Sequence, residues 1–283
     1  MRRLTSTILI IAIILCSSFS FASISEKLTN HWADSQINRS FVAYYFPYLS
    51  RDYFANFEPN EGISEQDFIL SIASLFKDLG YDISLEGSPA SITRENMVSI
   101  LGSRLMDIGL EVENNTILPF KDVNTMSNDS IELLRLLYSN NIILGDSNTS
   151  FSPNRNLSQV ESIIILQRVK EVLERMNTIA FKTLGIVQSY NNQEEIIIKE
   201  EKDKLLVTIT KGFPTPGYSM TVDKILRERG SYRVYFDITP PAADSIQLQV
   251  VTYKTLTLEI DKGQLIIGPY NFKLDGFNSI ITS

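Results

Sequence analysis

The sequence predicts a multidomain α + β protein, with helical repeats first and an all-β domain after them. Three observations predict it. First, a pattern returns at a fixed offset of 94 residues: Ile37, Tyr44, Asp52, Phe57, Pro59 and Asn60 recur as Ile131, Tyr138, Asp146, Phe151, Pro153 and Asn154. Second, Ser64 and Asp67 recur as Ser158 and Glu161 in the same register. Turn, cap and core positions that repeat together mark an internal repeat. Third, beyond about residue 181 the apolar period changes from helical to two.

The chain opens on a targeting pattern. Arg2 and Arg3 supply charge, Ile8 to Leu15 an apolar stretch, and Ser20-Phe21-Ala22 a small-residue cleavage site. The apolar run falls short of the ~20 residues a membrane span needs. We read residues 1–22 as a secretory signal, against an uncleaved anchor. A lipid-modified Cys16 is a third reading, but bulky Ile13-Ile14-Leu15 precede it. Cleavage at Ala22 removes the single cysteine, and with it any disulfide or thiolate chemistry. It also leaves 24 basic against 33 acidic residues, a formal charge of −9. Phosphate backbones and anionic lipid surfaces reward clustered Lys and Arg, so this balance argues against both as partners.

Residues 23–176 are expected to be helical repeats in three units, about 25–79, 80–112 and 118–176. In the last unit Ile131, Leu133, Leu134, Leu136 and Leu137 build a first helix that Asn140-Asn141 interrupts. The stretch from Gly145 to Ser150 reads as a loop. Ser158 and Glu161 form a capping box, each side chain satisfying one orphan backbone donor of the second helix. Ser64 and Asp67 repeat the device. Ile92-Thr93-Arg94-Glu95-Asn96 is a third helix start. It lies so soon after Ile63 that its unit lacks room for a full first helix and loop.

These residues resemble the S-layer homology domain. His31-Trp32-Ala33, Phe57-Glu58-Pro59-Asn60, Ile92-Thr93-Arg94, Phe120-Lys121-Asp122-Val123 and Phe151-Ser152-Pro153-Asn154 carry the resemblance. It implies three units packed as a pseudo-threefold helical prong whose grooves bind pyruvylated secondary cell-wall polysaccharide, an acidic glycan. It also implies a closing Arg that meets the anionic substituent. A guanidinium fork suits a carboxylate, and a Trp face suits a sugar ring. The sequence departs from the pattern, since the Arg position holds Glu65, Arg94 and Gln159 in the three units. Trp32, Arg94 and Glu95 are therefore the candidate glycan-binding residues, in one groove. Against this stands a degenerate scaffold in which Arg94 is a solvated first-turn residue and Trp32 a core plug.

Residues 177–283 are expected to form an antiparallel β domain, sandwich-like. Leu205, Val207 and Ile209 alternate with polar neighbours, as do Tyr218/Met220/Val222, Tyr232/Val234/Phe236, Ile246/Leu248/Val250 and Leu256/Leu258/Ile260. The charged run from Glu194 to Lys204 reads as a hairpin with a solvated face. Between two strands Phe213-Pro214-Thr215-Pro216-Gly217-Tyr218 fixes an unusual backbone path and is expected to present Thr215 and Tyr218. This loop, with Tyr253 to Leu258, resembles the C-terminal domain of PrcB-type protease-complex subunits, which implies association with a secreted protease. It is distantly similar to a loop of chagasin-type protease inhibitors, without that loop's leading Asn.

No catalytic constellation emerges. His31 is the single histidine, and zinc needs clustered His or Cys ligands. No strained Gly-x-Ser-x-Gly turn is present, and no glycine-rich phosphate loop follows a strand. The reading is an exported, non-catalytic envelope protein without cofactor or metal. Its repeats bind wall polysaccharide, and its β domain, displayed from the wall, binds protein. The alternative is an accessory subunit or inhibitor of a secreted protease, acting through the Pro214–Tyr218 loop.

Overall fold

A computed structural model describes residues 24–113, 116–266 and 268–275. The expected signal segment, 1–22, lies outside the described residues. The chain divides into two compact units at Leu173/Glu174. Among the described residues no helix is long and apolar enough to cross a membrane.

The first unit is helical: α1 (Arg39–Tyr45), α2 (Pro47–Phe54), α3 (Glu65–Asp78), α4 (Arg94–Asp107), α5 (Asn128–Ser139) and α6 (Gln159–Asn177). Local chemistry sets most starts. Asn38, Ser64, Thr93 and Ser127 cap α1, α3, α4 and α5 by accepting a backbone N–H three residues on. At α6 the capping box is complete: Glu161 N–H donates to Ser158 Oγ at 3.3 Å, and Ser158 N–H to Glu161 Oε2 at 3.0 Å. α5 stops at Ser139, and Asn141 follows in the left-handed region.

The two full cassettes differ where the last one has its loop. Residues 47–54 of the first cassette stand in register with 141–148, yet they form α2. Pro47 is the reason, because a proline at the first helical position is pre-set for helix and forfeits no bonded N–H. The middle cassette has no first helix between Leu79 and Ile92.

Three helix starts close a ring. Ile63 N–H donates to Leu157 O at 2.9 Å, Leu157 N–H to Ile92 O at 2.9 Å, and Ile92 N–H to Ile63 O at 3.0 Å. All three side chains are buried. The N–H groups two residues on are helix-terminal orphans, and they close the cycle in the opposite sense. Glu65 N–H bonds to Ala90 O, Arg94 N–H to Arg155 O, and Gln159 N–H to Glu61 O, at 2.8–2.9 Å. Each helix thus begins by satisfying its free donors on the proline-containing turn before the next helix in the cycle.

The second unit holds two sheets: β1 (Phe181–Ser189), β2 (Glu195–Glu200), β3 (Lys204–Phe213) and β6 (Thr252–Asp261) in the order β1-β6-β3-β2, and β4 (Ser219–Glu228), β5 (Ser231–Thr239) and β7 (Phe272–Asp275) in the order β4-β5-β7. Leu205, Val207 and Ile209 of β3, Ile225 of β4, Val234 of β5 and Leu256, Leu258 and Ile260 of β6 share one buried core, a sandwich-like arrangement.

The charged run does form a hairpin, β2 to β3, but three expectations need correction. Pairing is not wholly antiparallel, because β5 and β7 run parallel. Ile246, Leu248 and Val250 form no strand; they lie exposed after Pro240-Pro241 with no ladder partner. Alternation without a neighbouring edge is not a strand. Conversely β1 forms ahead of Leu205, where the alternating sets begin, and a bulge between Thr183 and Gly185 breaks its period of two.

Candidate functional site

The site is built from the turn before α1, the loop after α5 and one face of α6. Trp32 is 58 % exposed, so it is not a core plug. His31 braces the turn: its Nδ1 accepts from Ala33 N–H at 3.3 Å and its Nε2 lies 3.1 Å from Asn60 Oδ1. Those partners assign the proton to Nε2. The His31 and Trp32 ring centroids lie 5.5 Å apart.

Asp122 organises the loop after α5. Its carboxylate accepts from Phe151 N–H, Ser152 N–H and Ser150 Oγ. Burial pushes this acid up, but those hydrogen bonds outweigh burial and hold it below the usual carboxylate range. Gly145 sits in the same loop at φ +89°, and a Cβ there would meet the Phe120 ring and Ser150 O. Only glycine fits this approach.

Arg94 and Arg155 clamp two acids. Arg94 is 3 % exposed. Its Nε donates to Phe151 O at 2.8 Å, its Nη1 meets Glu161 Oε1 at 2.8 Å, and its Nη2 lies 3.4 Å from Asp146. The guanidinium carbon stands 4.7 Å from the centroid of the Phe151 ring. Arg155 Nη2 reaches both Asp146 and Glu161 at 2.7 Å. Burial opposes charge on Glu161, but Arg155, Arg94 and Ser158 N–H draw its acid below the ordinary value. In the other two cassettes the residue matching Arg94 staples a turn too. Glu65 accepts from Ser88 N–H at 2.9 Å, and Gln159 from Glu58 N–H at 3.0 Å.

Arg168 differs. It lies on α6, one turn past Ile164 and Ile165. Its single hydrogen bond among the described residues is Nη1 to Ile142 O at 3.3 Å. Among the described residues it meets no carboxylate within ion-pair distance. Burial draws its pKa below the usual guanidinium value, and Glu171 partly opposes this.

Trp32, Gln36, Arg94, Gly145, Glu161 and Arg168 line one pocket of about 260 Å³. A second cavity of about 470 Å³ adjoins it, sharing Trp32, Gly145 and Glu161 and adding Asn60, Asp146 and Arg155. Together they hold three guanidinium groups against two carboxylates, a positive spot on an acidic chain. Of the expected site residues, Trp32 and Arg94 meet here. Glu95 does not line either cavity; its Oε1 accepts from Ser127 N–H at 3.3 Å at the start of α5. Arg155 and Arg168 were not among the expected residues. A larger cavity of about 920 Å³ lies near Leu118 and Ile131. Its charged pair, Glu132 and Arg135, is spent on itself at 2.5 Å, so it offers a ligand no free charge.

In the second unit the Phe213–Tyr218 loop folds back. Phe213 is buried and stacks on Tyr218 at 5.3 Å. A Cβ on Gly217 would meet Gln247 and Pro241, which cover the loop. Pro214 is exposed, and Pro216, Gly217 and Tyr218 are half-buried. Thr215 is not presented: it is 9 % exposed, and its hydroxyl has no partner among the described residues. Thr215→Val keeps the shape and removes that unpaired group. It is expected to leave the urea midpoint unchanged or raise stability by about 1 kcal/mol; a clear loss would show that the hydroxyl is paired.

The chain therefore has two modules, a helical unit with one cationic, aromatic-walled groove and a strand-built second unit. Residues 119–159 match the family model of the S-layer homology domain, and residues 197–260 match that of the PrcB C-terminal domain. The first match associates the chain with the cell envelope and the second with a protease-associated role, and both are non-catalytic domain types. The S-layer homology match lies in the last cassette, up to the start of α6, and not in the N-terminal ones. No curated protein matches the chain.

Proposed function

We propose that this is an exported, non-enzymatic envelope protein whose helical unit binds an acidic wall polysaccharide in the Trp32 pocket, Trp32 stacking on a sugar and Arg168 pairing its carboxylate. One observation carries the reading: an exposed tryptophan shares a pocket with a half-buried guanidinium that no carboxylate among the described residues meets within ion-pair distance. Arg94 and Arg155 are positioning residues that hold the Gly145 loop open. Glu95 acts one step further out, fixing α5. The cyclic hydrogen bonds of Ile63, Ile92 and Leu157 support a pseudo-threefold assembly of three cassettes, with this groove the one that keeps cationic chemistry. A pull-down on wall sacculi tests the reading. Retention is expected on intact sacculi and not on sacculi stripped of acidic secondary polymer; equal retention on both would sink it.

The second unit supports a second role. Its loop Phe213-Pro214-Thr215-Pro216-Gly217-Tyr218 is rigid and backed by Gln247, which suits a fixed shape docking on a secreted protease. Replacing Pro214 and Tyr218 by Ala should reduce co-purification of an exported protease with this chain; undiminished co-purification would move the contact elsewhere.

A further inference from the structure

A cleft of about 460 Å³ opens beside α1, lined by Asn38, Ser40, Tyr44, Tyr45, Gln167 and Lys170 among others. Tyr44 is 62 % exposed, yet its ring is held edge-on against Tyr45, with centroids 4.7 Å apart and planes at 81°. Tyr45 is itself buried on Phe41, at 4.7 Å. The exposed ring is therefore a rigid platform, which costs little ordering when something stacks on it. Asn38 spends its side-chain oxygen on Phe41 N–H at 3.0 Å. Its amide nitrogen and the Ser40 hydroxyl have no partner among the described residues. An aromatic face beside uncommitted amide and hydroxyl groups is chemistry that reads sugar hydroxyls.

This cleft continues the Trp32 pocket. Gln167 separates the two, accepting from Asn38 N–H and donating to Gln36 O, both at 2.8 Å. Gln36 lines the first cavity and Asn38 the second. On α6, Arg168 faces the first, and Lys170 and Glu171 the second. Those positions lie within one turn, about 5 Å of rise. We propose that the Tyr44 cleft is a second sugar subsite, so that the unit grips an internal stretch of acidic polysaccharide across Trp32 and Tyr44 rather than one terminal sugar. The proposal rests on the glycan reading above.

Trp32 is the single tryptophan, so its fluorescence reports the first pocket directly. The probe is acidic polysaccharide released from wall sacculi and fractionated by length, titrated into the full chain. Affinity is expected to rise with fragment length. Tyr44→Ala, and Ser40→Phe as a cleft-filling variant, are expected to lose about tenfold for long fragments while binding the shortest like the parent. Both positions are exposed, so folding is preserved. Unchanged length dependence in both variants would overturn the subsite and leave the Trp32 pocket standing. If the parent and Arg168→Met respond alike to every fragment, the glycan reading itself falls, and the subsite with it.

Discussion

Glu161→Gln is expected to lower the stability of the helical unit by about 3 kcal/mol, the low end of what breaking a buried ion pair costs. For a unit of this size that is a fall in Tm of about 6–12 °C. Glu161 answers both guanidiniums and the Ser158 cap at once. Removing its charge leaves Arg94, 3 % exposed, beside Arg155, the two sharing Asp146. Arg94→Met should cost less, because Glu161 then keeps Arg155. The pH dependence has a defined sign. Glu161 and Asp122 both have folded-state acids held below their ordinary range. Their contribution is fully present above the unfolded values, about 4.3 for Glu and 3.9 for Asp, and is lost as pH falls through the lower folded ones. Urea midpoints measured from pH 7 down to pH 3 should fall on the acid side, less steeply in Glu161→Gln. An equal acid slope in both proteins would show that Glu161 carries none of it.

The network was half legible in the sequence. The capping box at Ser158 and Glu161, and the helix start at Arg94, are local patterns, so the chain announces them. That Arg94 turns inward to Phe151 O and Glu161 is not local, since it depends on the cyclic closure of three separated segments. Arg168 lies mid-helix among Gln167, Lys170 and Glu171, where a charge reads as a solvated face. One signal could have found it: at the offset of 94 residues Ser74 takes its place, so the cation belongs to the last cassette alone. In the β unit, alternation misled at Ile246 to Val250 because a strand needs an edge to pair with. It failed at β1 because the bulge at Gly185 scrambles the faces. Thr215 is buried in a loop whose Gly217 lies against Gln247 and Pro241, a long-range cover that turn chemistry cannot announce.

Arg168→Met should do the opposite of Glu161→Gln. Among the described residues this half-buried guanidinium meets no carboxylate within ion-pair distance, so its desolvation is offset by one long hydrogen bond, at 3.3 Å. Methionine keeps an apolar stem against Ile164 and Ile165 and removes the charge, so stability should hold or rise slightly. Binding should suffer. A charge-assisted contact to an anionic sugar is worth roughly 1.5–3 kcal/mol, so retention on sacculi should weaken by about 10- to 100-fold. Arg168→Lys should recover part of this, since a point charge remains but the planar fork is gone. Raising salt should erode parent binding more than Arg168→Met binding, because screening acts on the charged contact. Stability and binding therefore separate at this residue. A cation that only supported the fold would lose both together in Arg168→Met, and unchanged retention by that variant would remove Arg168 from the site.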